Sequence, residues 1–209
     1  MLTRSFALSL AGFALLPSLA SAATVSLGNT PGGDNVIFNN CNAGVGIGSG
    51  YTVQGCLESA HGKGVSISKP SSGELLTASG GQATVDTADQ DGVIDANTFI
   101  NIAFADNTGF TQLVLNIDAA ANGTVTFAAS PGSINFTPAT VNLDKNGGNF
   151  ITLLATTGEV FHGVSFTSNV NIADIKQIRI AAVPVPAAAW LMGSALLGLV
   201  DIGRRRKRA

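Results

Sequence analysis

From Ala23 to Val183 the apolar residues recur mainly with period two, and that spacing commits the chain to strands with one buried face. Val36-Ile37-Phe38, Val65-Ser66-Ile67, Phe99 to Phe104, Leu113 to Ile117, Val125-Thr126-Phe127, Ile134-Asn135-Phe136 and Val141-Asn142-Leu143 follow one another in this pattern. Phe150 to Leu154, Val160 to Phe166 and Ile175 to Ile180 complete it. Turn residues fall between the later runs, at Asn122-Gly123, Pro131-Gly132, Asn146-Gly147-Gly148 and Thr157-Gly158. About ten to twelve strands at a spacing of about 8 to 12 residues predict an all-β fold, an antiparallel β-sandwich of jelly-roll-like form. The earlier half, with Gly44 to Gly50 and Pro70-Ser71-Ser72-Gly73, reads as looser and richer in loops. With only 11% charged residues and 25 glycines, the composition also disfavours helices. No internal repeat or second domain boundary is visible, so one extracytoplasmic domain is expected over 23–182.

Charge is distributed unevenly. Six of the eleven basic residues, Arg4 and Arg204 to Arg208 with Lys207 among them, lie in the two end segments. Between Ala23 and Val183 five basic residues face twelve carboxylates, a net charge of −7. Such a surface repels nucleic acid, whose recognition depends on neutralising phosphates.

Both ends read as targeting segments. Residues 1–22 have the three parts of a signal peptide: Arg4, the apolar run Phe6 to Leu16, and the small residues Ala20-Ser21-Ala22, which predict cleavage between Ala22 and Ala23. The apolar run is too short for a membrane span and ends at Pro17. At the other end Val183, Pro184, Val185 and Pro186 precede an apolar run and a basic cluster. The run predicts a transmembrane helix over 187–203, and Arg204, Arg205, Arg206, Lys207 and Arg208 hold its C-terminus in the cytoplasm.

The order Val183-Pro184-Val185-Pro186-Ala187, then Trp190-Leu191-Met192-Gly193-Ser194-Ala195-Leu196-Leu197-Gly198-Leu199, then the arginine tail, resembles the PEP-CTERM sorting signal in its VPLPA-type variant. The likeness covers residues 183–209. Val185 stands where the commoner form of the motif has Glu, and Asp201 places an acid at the cytoplasmic edge of the helix. The resemblance implies recognition by an exosortase, processing near the motif, and transfer to the cell envelope or release after a transient stay in the inner membrane. It further implies an association with exopolysaccharide and biofilm. A permanent single-pass membrane anchor is the alternative reading of the same residues.

Few residues in the middle point to chemistry. Cys41 and Cys56 are the only cysteines, and in an oxidising compartment they predict a disulfide bond. A metal site combining them with His61 matches no paired-cysteine zinc spacing. The acidic stretch Asp86 to Asp95 resembles the Ca²⁺ loops of EF-hands and dockerins, with Asp89, Asp91 and Asp95 as candidate ligands. Thr87 and Thr98 stand where such loops carry their first and last acids. His61 and His162 lie among many serines, without a Gly-x-Ser-x-Gly elbow, and no phosphate-cradling glycine loop is present. No catalytic residue is assigned, and the expectation is a non-enzymatic surface or matrix protein, structural or adhesive. A carbohydrate-binding module is the alternative and a secreted hydrolase the third reading. Against the module stands the scarcity of aromatic platforms, since the middle offers only Tyr51 and its phenylalanines. If the acidic stretch holds Ca²⁺, adding calcium raises the melting temperature above that measured in chelator; an unchanged melting temperature leaves only a solvated turn.

Overall fold

The computed structural model describes residues 23–42, 49–80, 84–88, 91–129, 136–156 and 158–183. None of these residues is helical. They form fourteen strands: β1 (Thr24–Leu27), β2 (Asp34–Ile37), β3 (Ser49–Gly50), β4 (Thr52–Leu57), β5 (Ala60–Ser68), β6 (Leu76–Ser79) and β7 (Thr84–Thr87). The chain continues through β8 (Ile100–Phe104), β9 (Phe110–Ala119), β10 (Gly123–Ala129), β11 (Ala139–Leu143), β12 (Asn149–Leu154), β13 (Val164–Ser168) and β14 (Ile172–Ala182). The signal peptide, the motif residues Pro184, Val185 and Pro186, the transmembrane helix and the basic tail lie outside the described residues.

Residues Leu113, Val114, Leu115 and Ile117 of β9 are fully buried, so both faces of this strand are covered and alternation gives way to a continuous apolar run. Its neighbours are β12 and β14, both antiparallel. From there the sheet continues in the order β1-β12-β9-β14-β2-β4-β5-β8-β13-β10-β11, with β7, β6 and β3 branching from β14. It curls until β1 and β11, at the two ends of this path, come into contact, which makes the molecule nearly barrel-shaped. Inside, Phe110 meets Phe104 edge-on at 5.8 Å and Phe161 at 5.6 Å, and Phe127 tilts against Phe166 at 5.3 Å.

Two local devices let one sheet curl so far. In β14 the buried residues Ile172, Ile175, Ile178 and Ile180 do not keep period two. A bulge between Lys176 and Arg179 corrects the phase, and Gln177 sits there with φ 54°, in the left-handed region. Here β14 exchanges partners, pairing with β7 at Ile175 and with β2 at Arg179 and Ile180. The second device is β2, whose first two residues pair with β14 and whose last two pair with β4. It turns a corner between the two halves of the sheet.

The sequence pattern anticipates β8 to β12 and β14 closely. Val160 to Phe166 is divided: Phe161 makes an isolated bridge with Phe110, and β13 begins only at Val164. Ile134-Asn135 and Pro131-Gly132 lie outside the described residues, whereas Phe136 packs partly buried against the core. The half expected to be looser contains β3 to β7. There β4 escapes the pattern because Gly55, at its centre, has no side chain to show alternation. A Cβ at Gly55 would lie 2.6 Å from the Ile37 carbonyl oxygen and 2.9 Å from the Phe38 ring.

Both ends of the domain leave from one pole. Thr24 pairs with Leu154, Leu154 with Gln112, and Gln112 with Ala181, a single row across four strands. At about 4.8 Å per strand, Thr24 and Ala181 lie about 14 Å apart. Cys41 and Cys56 are joined by a disulfide, with Cα atoms 5.7 Å apart, and it ties the segment after β2 to β4.

Closing a 15-residue separation restricts the unfolded chain by about 3 kcal/mol, so the double variant Cys41→Ala/Cys56→Ala loses about that much stability in denaturant titrations. Gly55→Ala loses about 1 to 3 kcal/mol in the same assay, because the methyl group forces β2 away from β4.

Candidate functional site

The pole opposite Thr24 and Ala181 carries the most distinctive surface. Lys69 follows β5, and its backbone N–H donates to the Tyr51 carbonyl at 2.9 Å. Because Ser68 pairs with both Thr52 and Asn101, Tyr51 and Phe99 flank the Lys69-Pro70 segment on its two sides. The Lys69 side chain is buried, and its ammonium donates to the carbonyl oxygens of Ser72, at 2.8 Å, and Glu74. That cation holds the loop from Pro70 to Leu75 in place, and the Tyr51 ring centroid lies 5.6 Å from it.

A second loop, Asp95 to Phe99, faces the first. The Asp95 N–H donates to Glu74 Oε1 at 2.9 Å, Thr98 N–H closes a turn onto the Asp95 carbonyl, and Asn97 N–H donates to the Ser168 carbonyl. Asn97 has φ 64°, which an Asn adopts at little cost. Between the loops lies an open groove of about 340 Å³, lined by Lys69, Pro70, Glu74, Asp95, Asn97 and Phe99. Phe99 is 44% exposed, Leu75 38% and Tyr51 37%. These are half of the large apolar side chains exposed among the described residues and include both of the exposed aromatic ones. Exposure of Phe99 was legible in the alternation: Ile100, Ile102 and Phe104 face inward, so Phe99 faces out.

A larger cleft, about 420 Å³, lies beside the β2–β14 pairing, but its polar groups are engaged with one another. Asn35 Nδ2 donates to Glu58 Oε2 at 2.7 Å and Arg179 donates to Asn29. At the distal end of β9 and β14, Lys176 Nζ lies 3.1 Å from Asp118 and 3.3 Å from Asp174. Burial works against the Lys176 ammonium, yet the two carboxylates overcome it and hold its pKa above the ordinary value. Asp86, on neighbouring β7, is pushed up from the usual carboxylate range, first by burial and then by the charge of Asp174. Asp106 is affected the other way: against its desolvation, hydrogen bonds from Lys63 and Thr108 lower it to about 2.

Two of the three calcium candidates, Asp91 and Asp95, lie among the described residues. Asp89 lies outside the described residues; Asp91 is exposed and its Oδ1 accepts from Val93 N–H at 3.1 Å; Asp95 belongs to the distal groove. Among the described residues no group of three or more His, Cys, Asp or Glu side chains stands in a metal-holding arrangement. His61 is exposed at the start of β5, and His162 Nδ1 donates to the Asn107 carbonyl at 3.0 Å. Ala23, half-buried, packs against the core beside β1, while Ala22 lies outside the described residues. Val183 is exposed just past β14, and its N–H reaches the Gly109 carbonyl at 3.4 Å. Arg204, Arg205, Arg206, Lys207 and Arg208 lie outside the described residues. No local motif marks Glu74, Asn97 and Phe99 as a group, because their grouping depends on which loops share a pole.

No protein-family model matches the chain, and neither does any curated protein or any solved structure.

A carboxyl whose folded pKa lies above its unfolded value weakens the fold while ionised; the penalty is complete above the folded pKa and lifts as the pH falls towards the unfolded one. Asp86→Asn therefore melts at a higher temperature than the parent at pH 7, and the gap closes as the pH is lowered through the carboxylate range.

Proposed function

We propose that this chain is an exported, non-enzymatic protein of the cell surface or extracellular matrix, sorted by an exosortase through residues 183–209. Its role on this reading is structural or adhesive, in association with exopolysaccharide or biofilm. The domain over 23–182 is then a jelly-roll-like sandwich that is held at one end and presents the other.

The observation that carries this reading is the shared row of Thr24 and Ala181. A signal peptide before Ala23 and a membrane helix after Val183 both begin at the same bilayer face during export. Two tethers about 14 Å apart on one pole suit that arrangement without unravelling an edge of the sheet. Opposite this pole, the eleven residues of β14 carry the fold about 30 Å away from the membrane. The proximal pole also exposes Leu154 and Val183, apolar side chains that suit a surface close to the lipid headgroups. The Cys41–Cys56 disulfide supports an oxidising destination.

Intact-mass measurement on protein recovered from the membrane and the medium of the native host tests the proposal. The expected species begins at Ala23 and ends between Val183 and Ala187, with or without an added mass. A species that retains Trp190 to Ala209 wherever it is found would replace sorting by a permanent anchor.

A further inference from the structure

The distal groove has the chemistry of a saccharide site, and we infer that it binds an uncharged glycan through Tyr51, Phe99, Glu74, Asp95 and Asn97. The inference rests on the extracytoplasmic placement proposed above, since the polymer it names lies outside the cell.

A pyranose presents two kinds of surface: a face of C–H groups that packs on an aromatic ring, and a rim of hydroxyls that both donate and accept. The groove offers a partner for each. Phe99 lines the groove and stands exposed, and Tyr51, exposed on the other side of the Lys69-Pro70 segment, lies beside it. The exposed part of each ring is apolar area in water, and a sugar face laid on it removes that area from water. The Asp95 carboxylate and the Asn97 carboxamide project from the facing loop. Neither makes a side-chain hydrogen bond among the described residues, and together they accept and donate as a hydroxyl rim requires.

The frame around these groups is already ordered. Lys69 fixes one loop through two carbonyls, Glu74 ties it to the other through Asp95 N–H, and Asn97 N–H docks the second loop on β13. A ligand entering such a groove loses little to loop ordering on binding.

Charge selects among glycans. The groove holds one cation, Lys69, whose ammonium is directed to backbone carbonyls, against two carboxylates, Glu74 and Asp95. The surrounding domain carries a net charge of −7. A uronate polymer is therefore repelled, and a neutral hexose polymer is not. The open groove, about 340 Å³, admits a segment of a long chain lying across the pole rather than a wholly enclosed small molecule.

Isothermal titration of the full chain in detergent, with neutral gluco- and manno-oligosaccharides beside an oligogalacturonate of equal length, tests the inference. The expected result is binding of a neutral oligosaccharide that Phe99→Ala or Tyr51→Ala weakens roughly tenfold, about the value of one lost stacking contact. Leu154→Ala, on the opposite pole, leaves it unchanged. Both aromatic side chains are exposed, so these truncations spare the core, and melting curves of each variant check this. Failure of every neutral oligosaccharide to bind would overturn the inference, as would parental affinity in the Tyr51→Ala/Phe99→Ala double variant or tighter binding of the oligogalacturonate. Failure of the export proposal shows instead in the intact mass, which these titrations do not read.

Discussion

Burial of β9 on both faces is the constraint from which the rest of this structure follows. A strand whose Leu113, Val114, Leu115 and Ile117 are all withdrawn from water cannot stand at the surface of a flat sheet. Something must cover each face. The only described elements that can do so are other strands of the same chain, so the sheet curls back over itself. The phenylalanines of β8, β9, β10 and β13 then meet in one interior.

Curling creates two poles, and the bulge at Gln177 decides what each of them holds. By letting β14 serve β7 at one end and β2 at the other, it leads both halves of the sheet away from the same strand. Thr24 and Ala181, near the two ends of the described residues, are left on the row of Gln112. The connections after β5 and before β8 are brought together at the far end, where Ile94 bridges to Ile172 and Asn97 bonds to Ser168. The row of Thr24 and Ala181 and the distal groove thus lie at opposite ends of β14.

Much of the fold was legible from local pattern. Runs such as Ile100-Asn101-Ile102-Ala103-Phe104 announce both a strand and its inward face, and even the exposure of Phe99 follows from parity. The pairing of Cys41 with Cys56 is legible from their being the only two cysteines in the chain. The sequence reading fell short where side chains carry little signal. Gly55 interrupts the pattern of β4, short strands such as β3 and β6 give periodicity too few residues to register, and Val160 to Phe166 alternates although only its second half is laddered. In the acidic stretch, residues close in sequence have different surroundings: Asp86 lies in a strand, Asp91 in a bend and Asp95 in the groove.

The sequence alone determined the class of the fold, the inward face of most strands, and the resemblance of its tail to a sorting signal. These depend on near neighbours, on the period of the pleat and on the order of short segments. Only the tertiary structure decided that Thr24 and Ala181 share a row, that Glu74, Asp95 and Phe99 line one groove with Tyr51 across the Lys69-Pro70 segment, and that Asp86 comes within reach of the charge of Asp174. Each of these pairs or groups is far apart in the chain, and what brings it together is the pairing register and the curl of the sheet. No local pattern encodes either, because both arise from the collective burial of the two faces of β9.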